Sequence, residues 1–202
     1  MVEENLLRLD ESILNYISEG PKKWKSITIR HLMTHSSGIP DYTSEEFDYS
    51  KNYSEEDLVE MASKLDLEFS AGKRWNYSNT GYVLLGVIMS RVAKKPYWEY
   101  LDEHIFTPAG MHSIRINTEK DIVPNKAKGY IPSKEGYQHA SYVAPITNTT
   151  ADGSMLLNLE DLLAWNSTVK NKMILKRKSW NLILSPMKLN SGNNYPYGFG
   201  WF

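Results

Sequence analysis

One segment of the 202-residue chain, residues 79–94, constrains the fold more than any other. Apolar side chains recur through it at helical spacing and leave almost no polar face: Val83, Leu84, Val87, Ile88 and Val92. A helix that is apolar on nearly every side is stable only when other elements surround it. The sequence therefore predicts a central, buried helix with Asn79 as its N-cap, around which the remaining chain packs.

Capping signals and amphipathic spacing predict five further helices around this centre. Ser54 with Asp57, and Asn158 with Asp161, match the pattern in which each side chain of a pair bonds the backbone N–H of the other residue. The predicted helices run from Thr28 to Ser36, from Ser54 to Leu65, from Pro96 to Ile105, from Asn158 through Val169, and from Lys176 to Leu184.

Strand signals are few and short. The candidates are Ser26–Ile29, Ser113–Ile116, Tyr142–Ile146 and Tyr197–Phe202. No internal repeat and no Pro/Gly/Ser-rich linker divides the chain, so residues 1–202 are predicted to form one mainly helical unit of the α+β class. The last candidate strand would leave an exposed aromatic edge unless another chain covers it or the sequence is a piece of a longer protein.

Composition excludes several classes of protein. Hydrophobic residues make up 41% and charged residues 23% of the chain, which indicates a folded protein. The net charge of −1 gives no electrostatic footprint for nucleic acid. The longest apolar stretch, Tyr82–Met89, is too short to cross a bilayer, and the absence of cysteine excludes disulfides and thiol chemistry.

Two histidines and three carboxylates are weak candidates for chemistry. His31 and His35 are four residues apart on one predicted helix, a spacing that can present two imidazoles to a metal ion. No acidic third ligand is near them in sequence, so we interpret both as structural and predict no metal. Glu99, Asp102 and Glu103 are interpreted as the solvated face of a helix.

The informative pattern is Tyr77-Ser-Asn79, directly before the central helix. A tyrosine and an asparagine two residues apart in a loop, on a rigid base, can project into one cavity. Taken alone, the pattern is better explained by an N-capping Asn79 and an ordinary amphipathic Tyr77. The surrounding sequence decides between these interpretations.

Five stretches, in order, are similar to the serine β-lactamase and penicillin-binding-protein-like hydrolases. They are Ile27–Tyr42, Phe69–Gly86, Tyr97–Met111 with Ala109 where the family has Leu, Ala151–Met155 together with Leu159–Trp165, and Tyr197–Phe202. The similarity covers nearly the whole chain. It is closest to the branch of class C β-lactamases, esterases and D,D-peptidases, because the second motif is Tyr-x-Asn.

The resemblance implies a catalytic role for Tyr77 and Asn79. In that family the chemistry lies on three motifs: S-x-x-K, Tyr-x-Asn, and a late K-[ST]-G or H-x-G. Tyr77 would help to move the proton of the nucleophilic serine, and Asn79 would position the lysine and the substrate. Ser70, Ser167 and Ser185 begin chance matches to S-x-x-K, and none stands where the family has its nucleophile.

The missing motifs leave two hypotheses. Because the first residues resemble the segment after the family's nucleophile helix, residues 1–202 would form a partial β-lactamase-like domain: the helical subdomain and part of the α/β subdomain, with an incomplete central sheet. The alternative is a non-catalytic binding module or pseudoenzyme on the same scaffold. The first hypothesis implies that the complete protein is a serine hydrolase acting on a small-molecule or peptide acyl substrate, with no cofactor.

The resemblance points to a location outside the cytoplasm. The N-terminal residues, Met1-Val-Glu-Glu-Asn, show no signal-peptide pattern, so the sequence assigns no compartment. It assigns no oligomeric state either.

Overall fold

The computed structural model describes residues 1–43, 47–116, 122–140 and 150–202. The helices are α1 Ile29–Met33, α2 Glu55–Lys64, α3 Asn79–Ala93, α4 Tyr97–Leu101, α5 Thr107–Ala109, α6 Leu159–Lys170 and α7 Arg177–Ile183. The strands are β1 Arg115–Ile116, β2 Tyr130–Ser133, β3 Gly136–His139, β4 Met155–Leu156, β5 Met187–Lys188 and β6 Asn194–Tyr195. The predicted strand Tyr142–Ile146 lies outside the described residues.

Helix α3 is the buried centre that its sequence predicts. Its buried side chains include Val83, Leu84, Val87 and Ile88, and α1, α2 and α4 all pack against it. The predicted N-cap is wrong by one residue, because Ser78 occupies the cap position with extended backbone and Asn79 is the first helical residue. The Ser78 side chain makes no capping bond, so the start of α3 needs an acceptor from elsewhere in the chain.

Local capping fixes the start of α2. The Ser54 hydroxyl accepts from the Asp57 N–H at 3.1 Å, and the Asp57 carboxylate accepts from the Ser54 N–H at 2.8 Å. The predicted capping box is therefore confirmed. Leu65, which the sequence places on the buried face, is instead exposed, because the helix ends at Lys64 and Leu65 has extended backbone.

The remaining helices differ from prediction mainly at their ends. Helix α1 ends at Met33, short of the predicted Ser36. The predicted helix after Pro96 begins as α4 and continues as one π-helical turn over Asp102–Phe106. The capping box of α6 is confirmed, since the Asn158 side chain accepts from the Asp161 N–H at 2.9 Å.

The N-terminal segment supplies a large part of the core. Two 3-10 turns, Ile13–Asn15 and Lys22–Trp24, place Ile13 and Trp24 in the core beside α1 and α3. Ile17 and Ile27, which follow the two turns, are also fully buried there. The core therefore forms around the N-terminal half of the chain, between residue 7 and residue 88.

All strands pair antiparallel in two-stranded sheets: β1 with β4, β2 with β3, and β5 with β6. The predicted strand Ser113–Ile116 is present in part as β1. Ser26–Ile29 is reduced to a single bridge between Ser12 and Thr28.

The predicted strand Tyr197–Phe202 is wrong. Gly198 lies so close to the Ile183 carbonyl that a Cβ atom would approach its oxygen to 2.2 Å, and Gly200 has a φ of +80°. The Phe199 N–H donates to the Ile183 carbonyl at 2.9 Å. These contacts hold the segment against the end of α7. Its Phe199 N–H is bonded there and not to a neighbouring strand.

Helices α6 and α7 carry apolar side chains that the described residues leave uncovered. Leu162 and Leu163 on α6 are exposed, although Trp180 of α7 is buried and donates its indole N–H to the Met173 carbonyl at 2.7 Å. Within the described ranges, no helix is both long and apolar enough to span a bilayer.

Candidate active site

The Tyr77 loop lies against the segment that follows α1. Beyond Met33 the backbone turns, and His35 adopts a left-handed conformation with φ +52°. The His35 carbonyl then accepts from the Asn76 N–H at 2.8 Å, and its Nδ1 atom accepts from the Ser78 N–H at 3.2 Å. The residues on both sides of Tyr77 are thus bonded to one histidine.

The Ser78 side chain does not cap α3, and the Asp41 carboxylate accepts the hydrogen bond of the first helical N–H in its place. One carboxylate oxygen of Asp41 accepts from the Asn79 backbone N–H at 2.9 Å and from the Asn79 side-chain amide at 3.0 Å. The other oxygen accepts from the Thr43 N–H and hydroxyl, each at 2.8 Å. A carboxylate at a helix N-terminus also interacts favourably with the helix dipole.

His35 is neutral near pH 7. Its side chain is buried, with an exposed fraction of 3%. Its ring stacks against Tyr82 with ring centroids 5.0 Å apart and contacts the tilted ring of Tyr77 at 4.3 Å. Burial lowers the pKa of His35 to about 4, outweighing the Ser78 bond and the Asp41 charge, which raise it. A neutral ring whose Nδ1 accepts a hydrogen bond carries its proton on Nε2.

Tyr77 is half-exposed and protonated. The exposed fraction of its side chain is 50%. Burial of the remainder raises the pKa of its phenol above the ordinary value, and the carboxylates of Asp41 and Asp152 raise it further. Among the described residues the electrostatic environment of Tyr77 therefore favours the phenol, whereas a general base requires the phenolate.

Two hydrogen bonds hold the Asp152 carboxylate in place. The Tyr42 hydroxyl donates to Asp152 at 2.7 Å and the Thr150 hydroxyl donates to it at 2.5 Å. The Asp152 carboxylate that acts on Tyr77 is thus held by one residue close to it in sequence, Thr150, and by one distant residue, Tyr42.

Two cavities lie away from Tyr77 and Asn79. One, of about 220 Å³, lies between the N-terminal segment, α2 and α3 and is lined by Ile17, Glu56 and Arg91 among others. The second, of about 290 Å³, lies beside α7 and is lined by residues including Arg30, Ser185 and Lys188. We expect Tyr77 and Asn79 to line the main cleft, and neither of these two cavities is lined by them. Their place in a cleft stays a prediction.

The two histidines do not share a helix. His31 lies within α1 and its Nδ1 atom accepts from the Thr28 N–H at 3.2 Å, so it caps the helix. His35 follows the end of α1. Among the described residues, no group of three or more His, Cys, Asp or Glu side chains is placed to hold a metal ion.

The three serines of the chance S-x-x-K matches have local partners or exposed positions. The Ser167 hydroxyl accepts from the Asn171 amide within α6, and the Ser185 hydroxyl donates to the Asn181 carbonyl at 2.5 Å. Ser70 is exposed in the loop before Gly72.

Sequence reasoning missed Asp41. It lies inside the stretch Ile27–Tyr42 that carries the family resemblance, yet no spacing rule connects it to Asn79, 38 positions later. His35 was recognised only as a structural histidine, and its partner at Ser78 is likewise distant in sequence.

Comparison with known proteins gives a consistent result. The sequence model of the Beta-lactamase family matches residues 1–202. A penicillin-binding protein of Bacillus subtilis strain 168 is 30% identical over 215 residues, which cover 98% of this chain and 47% of that protein. The chain spans about half the length of the curated relatives that it matches.

Solved structures share the fold. The D-amino acid amidase of Ochrobactrum anthropi SV3, complexed with L-phenylalanine amide, has a TM-score of 0.83 and 25% identity, over 98% of this chain and 59% of that one. A penicillin-binding protein of Bacillus halodurans has a TM-score of 0.81 and 25% identity, over 98% and 62%. The predicted mixture of helices with short strands is thereby confirmed.

Proposed function

Because this chain belongs to the beta-lactamase family, we propose that the complete protein is a serine hydrolase that transfers acyl groups through an acyl-serine intermediate. The substrate class is an ester, an amide or a β-lactam. The names of similar proteins, penicillin-binding protein and D-amino acid amidase, support an amide or β-lactam carbonyl as the group that is attacked.

The observation that carries the proposal is the geometry of Tyr77 and Asn79. Both lie at the start of the buried helix α3, and the loop between them is bonded to His35 and Asp41. A loop held in this way on a rigid element can keep two polar side chains in a fixed relation, which acyl transfer requires of its proton-transfer and positioning groups.

In the proposed mechanism the serine oxygen attacks the acyl carbon while its proton passes to the Tyr77 oxygen. Tyr77 then gives this proton to the leaving group, and water releases the acyl group from the serine. Tyr77 can accept the proton only as a phenolate, and its pKa is raised by burial, Asp41 and Asp152. The mechanism therefore requires a cation beside Tyr77, for which we propose the lysine of an S-x-x-K motif.

The test compares the full natural reading frame containing these residues with the 202-residue chain. Each is incubated with a fluorescent penicillin or a fluorophosphonate, followed by intact-mass analysis and by hydrolysis assays with esters and D-amino acid amides. We expect one adduct on the full-length protein and none on the 202-residue chain.

Substitution of Tyr77 tests its role directly. We expect Tyr77→Phe to slow acylation of the full-length protein about 100-fold or more, the usual contribution of a proton-transfer group. Tyr49→Phe is the matched control, because Tyr49 is also exposed and contacts the Phe47 ring. An adduct on Ser70, Ser167 or Ser185 would contradict the proposal, and saturable ligand binding without acylation would favour a binding module.

A further inference from the structure

Hydrogen bonds from the Tyr77 loop converge on two residues outside the three catalytic motifs. Asn76 donates to the His35 carbonyl, Ser78 donates to the His35 side chain, and Asn79 donates to the Asp41 carboxylate. The ring of Tyr77 itself lies against the His35 ring. The motif is thus fastened at each residue to the segment 35–41.

We propose that His35 and Asp41 are positioning residues that fix the orientation of Tyr77 and Asn79 for the reaction. This inference rests on the proposed function, because it assigns the two residues a role in that reaction. It does not require either residue to touch the substrate.

The His35 ring acts through its shape and its acceptor nitrogen. Its Nδ1 atom accepts from the Ser78 N–H, which sets the direction of the backbone between Tyr77 and Asn79. The ring also lies between the rings of Tyr77 and Tyr82, at centroid distances of 4.3 and 5.0 Å. Tyr82 is in turn held by its hydroxyl, which donates to the Met33 carbonyl at 3.2 Å. The half-exposed ring of Tyr77 is therefore packed against a buried ring, which limits its rotation toward the protein.

Asp41 determines which end of the Asn79 amide is free. A carboxylate only accepts hydrogen bonds, so the Asn79 nitrogen must face Asp41 and the amide oxygen must face away. The oxygen is then free to accept from an ammonium group, and the second N–H of the same nitrogen remains to donate. Thr43, which donates twice to the other carboxylate oxygen, holds the Asp41 carboxylate in place.

The positioning can be measured on the 202-residue chain by amide hydrogen exchange. Loss of one hydrogen bond of about 1 kcal/mol corresponds to roughly fivefold faster local exchange, so we expect about this change at Ser78 in His35→Ala and at Asn79 in Asp41→Ala. His35→Asn should restore slow exchange at Ser78, because the asparagine side-chain oxygen can occupy the place of Nδ1.

Matched controls separate positioning from general destabilisation. His31→Ala removes another Nδ1 acceptor, a partly buried one that bonds Thr28. Asp48→Ala removes an acceptor that holds Ser50 N–H and hydroxyl much as Asp41 holds those of Thr43. Both controls should leave exchange at Ser78 and Asn79 unchanged. Equal acceleration in the controls, or no acceleration in His35→Ala and Asp41→Ala, would overturn the inference.

Kinetics on the full-length protein complete the test. We expect His35→Ala and Asp41→Ala to lower kcat about tenfold or more with little change in KM, and His35→Asn to restore kcat. If the wild-type protein forms no acyl adduct, the proposed function fails. The role of His35 and Asp41 in the reaction then fails with it, even if the exchange rates at Ser78 and Asn79 change as expected. If it does form the adduct and kcat is insensitive to both alanine variants, the positioning inference alone fails.

Discussion

Gly38 lies where the segment that holds Tyr77 crosses the chain near Phe69. Its φ is +78°, and a Cβ atom there would approach the Phe69 carbonyl oxygen to 2.0 Å. The Gly38 carbonyl also accepts from the Glu68 N–H at 2.9 Å. Position 38 therefore requires glycine for two separate reasons: its left-handed backbone conformation and the close approach of the Phe69 carbonyl.

Comparison with Gly110 separates the two reasons. Gly110 has a φ of +76° but nothing within 4 Å of its Cβ position. We expect Gly110→Ala to lower the free energy of unfolding by about 1 kcal/mol, the cost of the left-handed conformation. Gly38→Ala should lower it by about 3 kcal/mol, because the clash adds to that cost.

Urea unfolding of the two variants provides the measurement. The difference between their free energies of unfolding isolates the clash with Phe69. Equal losses would show that the backbone at residues 38 and 69 separates without cost, and that the crossing does not hold the site in place.

At the residue scale, sequence reasoning identified Tyr77 and Asn79 but not what holds them. The bonds that matter join residues about 40 positions apart, and no local periodicity records such pairs. The catalytic roles of Tyr77 and Asn79 stay predictions.

At the scale of elements, the contact between α2 and α3 buries a carboxyl group. A Cβ atom at Gly86 in α3 would lie 3.2 Å from a carboxyl oxygen of Glu55, the first residue of α2. That oxygen is buried and has no hydrogen-bond partner within the described chain. Burial raises the pKa of Glu55 from 4.5 to about 7, and the nearby Glu56 and Asp152 carboxylates add to the increase.

This shift predicts a pH-dependent stability. Between pH 4.5 and about 7 the folded protein holds a proton on Glu55 that the unfolded chain has released, so Glu55 contributes a fall in the free energy of unfolding as the pH rises through this range. Below about pH 6.5 buried His35, whose pKa is lowered to about 4, contributes an opposite slope. Glu55→Gln should remove that part of the pH dependence, since glutamine resembles the protonated side chain in size. Thermal or urea unfolding from pH 5 to 8 measures it.

Glu56→Gln is the control for this prediction, because Glu56 is exposed in the same turn of α2. It removes a neighbouring charge and leaves the buried carboxyl in place. A pH dependence that survives in Glu55→Gln would assign the effect to another group.

Elements formed by interactions between residues close in sequence were predicted correctly. Elements that depend on a residue distant in sequence were not. Capping boxes at Ser54 and Asn158 were predicted because both partners lie within four residues. The strand at Tyr197–Phe202 was predicted wrongly because its aromatic residues suit a strand, while the Ile183 carbonyl at the end of α7 decides its conformation. The strand propensity of a segment does not take into account a hydrogen-bond partner from another element.

At the scale of the whole molecule, the resemblance predicted the family and the mixed fold correctly. The sequence did not predict which apolar side chains are buried in the core and which are exposed at the surface. The buried core concentrates around α1, α2, α3 and the N-terminal segment, whereas α6 exposes leucines at its surface. Helical spacing shows that α6 is amphipathic but does not show whether anything covers its apolar side. The assignment of residues 1–202 to a single partial domain stays a prediction.

The exposed apolar surface predicts the behaviour of the isolated 202-residue chain. Leu159 and Leu163 have exposed fractions of 74% and 68%, and the ring of Phe202, at 87%, is the most exposed aromatic side chain described. Large contiguous apolar surface on a soluble chain drives association. We therefore expect the isolated chain to self-associate as its concentration rises, which sedimentation velocity would detect as a concentration-dependent increase in weight-average sedimentation coefficient.

Substitution on α6 tests whether its leucines cause that association. Leu159→Lys with Leu163→Lys should shift self-association to at least about tenfold higher concentration, because two apolar side chains each contribute on the order of 1 kcal/mol when covered. Ser167→Lys places the same charge at an exposed polar position of the same helix and should have little effect. If the wild-type chain stays monomeric and unfolds cooperatively over the whole concentration range, its exposed leucines are tolerated in solution, and α6 needs no further covering to be stable.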